Sequence, residues 1–292
     1  MPGLLEMLAA DFLLRDALRA SVLVGLVCPL VGVYFLLRRM IFLGVALPQL
    51  SAAGIAFAFL VYRGVVGTHE HAEPSERLLA MAGSFGFTLA GLLVLAALER
   101  RGRATTVEGR IGATYALAAA ATILFLAADP YGEAQMLNLL RGDILTTTDL
   151  PLLAAILGTV AVALTAFRRE FLLVSFDRDM AIVLGKRAAL WDAILYLLIG
   201  VTISLGVMTA GPLVTFGFLV LPPLAARRVT RHMASFSLLA SGLGALTAFV
   251  GFYAAYRLDL PLGPSEVATA SAALLLVTAG QALWRALRRQ RG

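Results

Sequence analysis

The feature that most constrains this chain is a succession of apolar runs, each about 20 residues long, divided by short arginine-rich stretches. About 20 residues are what a helix needs to cross the hydrocarbon core, and a helix satisfies its own backbone there. Such runs fall at roughly 16–37, 43–62, 78–98, 111–128, 150–167, 190–208, 211–227, 234–256 and 267–286. They leave only short loops, so residues 1–292 read as a single transmembrane domain. Composition agrees: 60% of residues are hydrophobic and 14% charged, against about 25% charged in soluble domains. The expected fold is all-α, a polytopic integral membrane protein of about nine transmembrane helices. The stretch 130–149 is too polar to cross and suits a short helix or re-entrant segment. An amphipathic stretch at residues 5–14 suits the interface.

Charge placement sets the orientation. Of 24 basic residues, 18 fall on one side if alternate loops are grouped with the C-terminal tail. That side, which includes Arg38, Arg39, the loop 168–187 and Arg227 to Arg231, is the cytoplasmic one by the positive-inside rule. The net charge of +6 thus reflects helix anchors facing the lipid bilayer and implies no nucleic acid. The single cysteine, Cys28, excludes an internal disulfide framework and any cysteine-cluster zinc site. The acidic N-terminus, with Glu6 and Asp11, lacks the basic region of a signal peptide.

No G-x-x-x-x-G-K-[ST] phosphate loop, H-E-x-x-H or G-x-S-x-G motif is present, so the chain itself has no ATP-hydrolysing or common hydrolase machinery. It reads as a transporter or channel subunit, not an enzyme. Polar groups within spans are costly and tend to face cavities. Pro48, Gln49 and Ser51 open the second span's backbone ladder and supply an amide and a hydroxyl. Gln49 and Ser51 either line a pathway or bond a neighbouring helix. Glu108, just ahead of the fourth span, guards an entrance or is a solvated carboxylate. His69 and His71, with Glu70, Glu73 and Glu76, have the donor types for a divalent metal, or form a solvated acidic loop. The segment at about 176–189 places Met180, Val183 and Leu184 at helical spacing and stops at Gly185, a helix C-cap residue. It either docks in a partner's groove or lies on lipid.

Several motifs, in order, resemble those of the bacterial zinc- and manganese-type ABC permeases. They are Gly25-x-x-Cys28-x-x-x-Gly32, Leu37-Arg38-Arg39-Met40, Leu43-Gly44-x-Ala46-Leu47, Gly142-Asp143-Ile144-Leu145 and Asp177-x-x-x-Ala181-x-x-x-Gly185. Gly211-Pro212-Leu213, Leu221-Pro222 and Asp259-Leu260-Pro261-x-Gly263-Pro264 follow. The resemblance spans roughly 12–275. It implies an importer permease of the type II kind in the bacterial inner membrane, moving divalent zinc, manganese or iron into the cytoplasm. It further implies a permease homodimer, a periplasmic substrate-binding protein, and a separate cytoplasmic ATP-binding subunit that carries ATP and magnesium. No cofactor is expected in this chain. The resemblance also makes Asp177, Ala181, Gly185 and Lys186 the ATPase-coupling residues.

One departure bears on the cargo. The family's second span typically reads Gly-Asp-x-x-x-His, with both ligands facing the pathway. The matching positions here are Gly44, Val45 and Gln49, which offer one amide oxygen and no ionisable ligand. Glu108 matches the family's acid-x-x-Ile-Gly element. The alternatives are a metal chelate or small neutral solute carried by the same kind of permease, or an ion-driven secondary transporter. For the last, no clear internal repeat and no mid-span carboxylate is evident.

Overall fold

The computed structural model describes residues 14–66, 74–100, 107–129, 132, 150–230 and 232–290. His69, His71, the Gly142–Leu145 motif and nearly all of the two polar stretches at 5–14 and 130–149 lie outside them. The described residues form ten helices: α1 (Arg15–Leu37), α2 (Leu43–Val66), α3 (Pro74–Arg100), α4 (Val107–Ala127) and α5 (Leu150–Ala166), then α6 (Arg168–Phe176), α7 (Arg178–Val183), α8 (Ala188–Val229), α9 (Met233–Leu258) and α10 (Leu262–Gln290). Among the described residues, seven helices are long and apolar enough to cross a membrane; the bent pair α5–α6, which turns by 68°, makes an eighth. The expected segments 190–208 and 211–227 form one run, α8, and this accounts for the difference from nine.

That run does not continue straight. Gly211 has φ 81 and ψ 166 inside α8, backbone that only glycine adopts readily. Pro212 follows it and has no N–H to give to the helical ladder. Residues 206 and 215 would stand about 13.5 Å apart along a straight helix, yet a Cβ on Gly206 would lie 3.0 Å from the Thr215 side chain. The two ends tell the same story. Asp192, in the second turn of α8, reaches Arg38 at the end of α1, while Ala226, in its last turn, packs on Val33 of α1. The run doubles back at Gly211, and both of its ends lie beside the end of α1.

Helix α1 is the central strut, with Val24, Val27, Cys28 and Val31 at most 1% exposed. It packs against α8, α9 and α5, whereas α2 packs against α3, α4 and α8. Lipid gives helices no hydrophobic reason to associate, so close approach of small residues carries the packing. A Cβ on Gly54 of α2 would strike the Gly83 carbonyl oxygen of α3, and one on Gly25 of α1 would strike Gly244 of α9. Outward faces are apolar instead, with Leu117, Leu124, Leu275 and Leu276 all exposed. The end of α1, the α6–α7 segment and both ends of α8 gather at one pole, which carries Arg38, Arg39, Arg168, Arg169, Arg178, Lys186, Arg187, Arg227 and Arg228.

Candidate functional site

A tight turn launches the helix that holds the pathway candidates. Arg38 caps α1, Arg39 turns left-handed at φ 57, and the Met40 N–H donates to the Phe35 carbonyl at 2.9 Å. Val45 and Gln49 then share one face of α2, four residues apart, and both are half-buried. Ser51 lies elsewhere on the helix and is fully buried. Its hydroxyl is 2.6 Å from that of Ser84 on α3, and Ser84 accepts a second hydrogen bond from Ser204 of α8 at 2.6 Å. Three hydroxyls thus tie α2, α3 and α8 together within the chain. Glu108 is exposed in the first turn of α4, where a carboxylate favours the positive end of the helix dipole. The structure therefore separates Ser51 from Gln49 and draws no hydrogen bond between Gln49 and Glu108. Among the described residues, no group of three or more His, Cys, Asp or Glu side chains is placed to hold a metal ion.

The segment between α6 and α8 is built locally. Asp177 is the N-cap of α7 and its side chain accepts the Met180 N–H at 2.8 Å, satisfying one of the donors that a helix start leaves open. The helix closes at Gly185, whose φ is 71. The Gly185 N–H donates to Ile182 and the Lys186 N–H to Ala181, both at 2.9 Å, which completes a left-handed C-terminal cap. Ala181 is wholly buried against Val174 and Ala188, so this six-residue helix is pinned by its one small side chain. Lys186 approaches Glu170 of α6 at 3.8 Å. Outward, Phe176, Met180, Ile182, Val183 and Leu184 are all exposed, interleaved with the exposed charges of Asp179, Lys186 and Arg187. A capped helix that presents exposed apolar side chains at the basic pole can fill a partner's groove.

Sequence reasoning missed the ionic contacts, because each joins residues far apart in the chain. At the basic pole, Asp192 takes Arg38 on one oxygen at 2.8 Å and Arg178 on the other at 3.2 Å. Arg38 also donates to Ser175 at 3.1 Å and to the Tyr196 hydroxyl at 3.3 Å, and lies over the Tyr196 ring. At the opposite pole, Arg63 holds Asp129 at 2.8 Å and Glu76 at 3.6 Å. A third group, Glu266, is 1% exposed in α10 and accepts a 2.5 Å hydrogen bond from Ser21 of α1. The sequence segment 267–286 stops one residue short of it, so Glu266 falls outside the spans read from the sequence. The signal available was the Ser265-Glu266 pair just after Pro264, in an otherwise apolar stretch.

The comparisons with known proteins agree with this architecture. The chain matches the ABC 3 transport family over residues 10–281, and it belongs to that family. It is 27% identical over 278 residues to a probable iron transport system membrane protein of Haemophilus influenzae, covering 94% of this chain and 91% of that one. It is 25% identical over 269 residues to the manganese transport system membrane protein MntC of Listeria monocytogenes, covering 91% and 90%. Among solved structures it is similar to PsaBC from Streptococcus pneumoniae in complex with Fab, with a TM-score of 0.78 and 20% identity over 94% of this chain and 95% of that one.

Proposed function

We propose that this chain is the membrane-spanning permease subunit of an ABC importer whose cargo is a divalent transition metal, manganese or iron before zinc. The observation that carries the reading is the capped α6–α7 segment, with Met180, Ile182, Val183 and Leu184 exposed, in a chain of the ABC 3 transport family. The cargo rests on the relatives named for iron and manganese transport. In this reading a separate cytoplasmic ATP-binding subunit, holding ATP and magnesium, grips α7 around Met180, Val183 and Leu184. Asp177, Ala181, Gly185 and Lys186 shape that grip. A periplasmic protein delivers the cargo to a homodimer in the bacterial inner membrane, and Gln49 on α2 lines the path while Glu108 flanks it. ATP-driven closure of the ATPases moves the gripped segments and switches which side the cavity faces.

The fold-back at Gly211 supports counting the two halves of α8 as separate crossings. With α5–α6 they would restore nine, put Arg187 and Arg227 on one face of the membrane, and keep the positive-inside pattern. Thr230→Cys and Lys186→Cys would then be labelled from the same side as the C-terminus. Cys28 is fully buried and contributes little background.

The second reading, a metal chelate or small neutral solute, is favoured by Val45 and Gln49 on the half-open face of α2, which present an amide and no ionisable group. One experiment separates the two. Cells depleted of their own metal importers would express this chain with its ATPase and binding protein, beside a control whose ATPase lysine is mutated, and multi-element accumulation would be measured. An ATPase-dependent gain of manganese, iron or zinc names the cargo. No gain from an assembled, ATP-hydrolysing complex would overturn the free-metal reading.

A further inference from the structure

We propose that Asp192 is a positioning residue that carries motion of the α6–α7 segment to the start of α2; the proposal rests on the ABC permease reading above. Three parts of the chain meet at its carboxylate. Arg178, in the first turn of α7, binds Oδ2 at 3.2 Å. Arg38, in the turn that launches α2, binds Oδ1 at 2.8 Å. Asp192 itself stands in the second turn of α8, beside the Tyr196 that holds the other edge of Arg38. Ser175, two residues before α7 begins its cap, receives the Arg38 Nε–H at 3.1 Å. The α6–α7 segment is therefore linked to the α1–α2 turn both directly and through one carboxylate.

The surroundings permit movement. The cluster borders a cavity of about 300 Å3 lined by Met40, Ala96, Val174 and Ser175 beside the charged groups. A second, of about 410 Å3, lies against Asp192, Tyr196 and the α3 alanines Ala96 and Ala97. Arg38 and Asp192 are nearly buried, at 10% and 11% side-chain exposure, whereas Arg178 is 42% exposed. The inner pair is thus held away from solvent screening while the outer member rides on the segment that moves. Val45 and Gln49 follow the turn by two and three helical turns' worth of chain or less, so displacement of Arg38 tilts the very face that lines the path.

Asp192→Asn tests this, because it keeps the shape and removes the charge that both guanidiniums bind. The assembled complex in proteoliposomes would be scored for uptake per ATP hydrolysed, with manganese as the probe. ATP hydrolysis is expected to stay within about twofold of wild type while uptake per ATP falls about tenfold, within the range of measured site-to-site couplings. Asp192→Glu should recover part of the ratio, and Arg178→Ala should lower it as Asp192→Asn does. An unchanged ratio, or a proportionate loss of uptake and hydrolysis, would overturn the relay and leave the permease reading intact. Failure of both Asp192→Asn and Arg178→Ala to assemble would mean that the cluster only holds the fold, and would overturn the relay as well. A wild-type complex with no ATP-driven uptake of any cargo would instead sink the permease reading itself, and the relay with it.

Discussion

Two ion clusters stand at opposite poles of the bundle, made from the same chemistry in opposite proportions. At one pole Arg63 sits between two carboxylates, and the side chains of Arg63, Glu76 and Asp129 are 15%, 8% and 1% exposed. It joins the end of α2, the first turn of α3 and Asp129, two residues past the end of α4, and α2 packs against both of the other helices. At the other pole a single carboxylate, Asp192, sits between two cations, one of them 42% exposed on a six-residue helix. The first cluster is enclosed by packed helices. The second borders open cavities. The two clusters differ in the elements that carry them and in one exposed member, Arg178, and not in the kind of charge alone.

The contrast can be broken by experiment. The largest effect is expected for Arg63→Ala, which leaves Asp129 and Glu76 buried without that guanidinium. Removing one member of a buried pair costs about 3–5 kcal/mol, read as a lower unfolding midpoint in detergent. Asp192→Ala should cost less, about 1–3 kcal/mol, because Arg38 keeps Ser175 and Tyr196 and borders a cavity. Equal losses from these two variants would mean that the poles do not differ in stiffness. Arg178→Ala should cost under about 1 kcal/mol, as expected of a half-exposed ion pair, although its effect on uptake per ATP is large. The smallest effect should be that of salt. Raising ionic strength to about 1 M shortens the Debye length to about 3 Å, which should erase the Arg178 contribution and leave that of Arg63 nearly unchanged. A salt-sensitive Arg63 contribution would place the Arg63, Glu76 and Asp129 cluster in solvent.

The regular parts of this molecule are legible in the sequence because they depend on neighbours in the chain. Apolar length marks α1 to α4, α9 and α10 within a few residues, and Gly185 marks the end of α7, because its position needs positive φ. Gly211 was legible only as a boundary. That the chain doubles back there, through one non-helical residue, brings its two halves against Cys28 and Val33 of α1, contacts that no local pattern encodes. The candidate site divides in the same way. Gln49 was found from its own polarity inside a span, whereas the burial of Ser51 depends on Ser84 and Ser204 arriving from two other helices. Arg38 looked like a membrane anchor because its basic neighbour and its apolar flanks are local, but its partner is 154 residues away. Asp192 stands near the start of the expected segment 190–208 as a carboxylate among apolar neighbours, but neither arginine partner is adjacent in the chain.

The hydrogen bond from Ser21 to Glu266 joins the earliest described helix to the latest. During synthesis α1 enters the bilayer long before α10 leaves the ribosome. The carboxyl of Glu266 therefore meets its donor only when the bundle closes, after all the intervening helices are in place. Until then it lies in or near lipid, where an unsatisfied polar group is costly. A chain halted before closure keeps a polar group that the finished protein hides, so this one contact distinguishes a completed permease from an incomplete one at the moment of assembly.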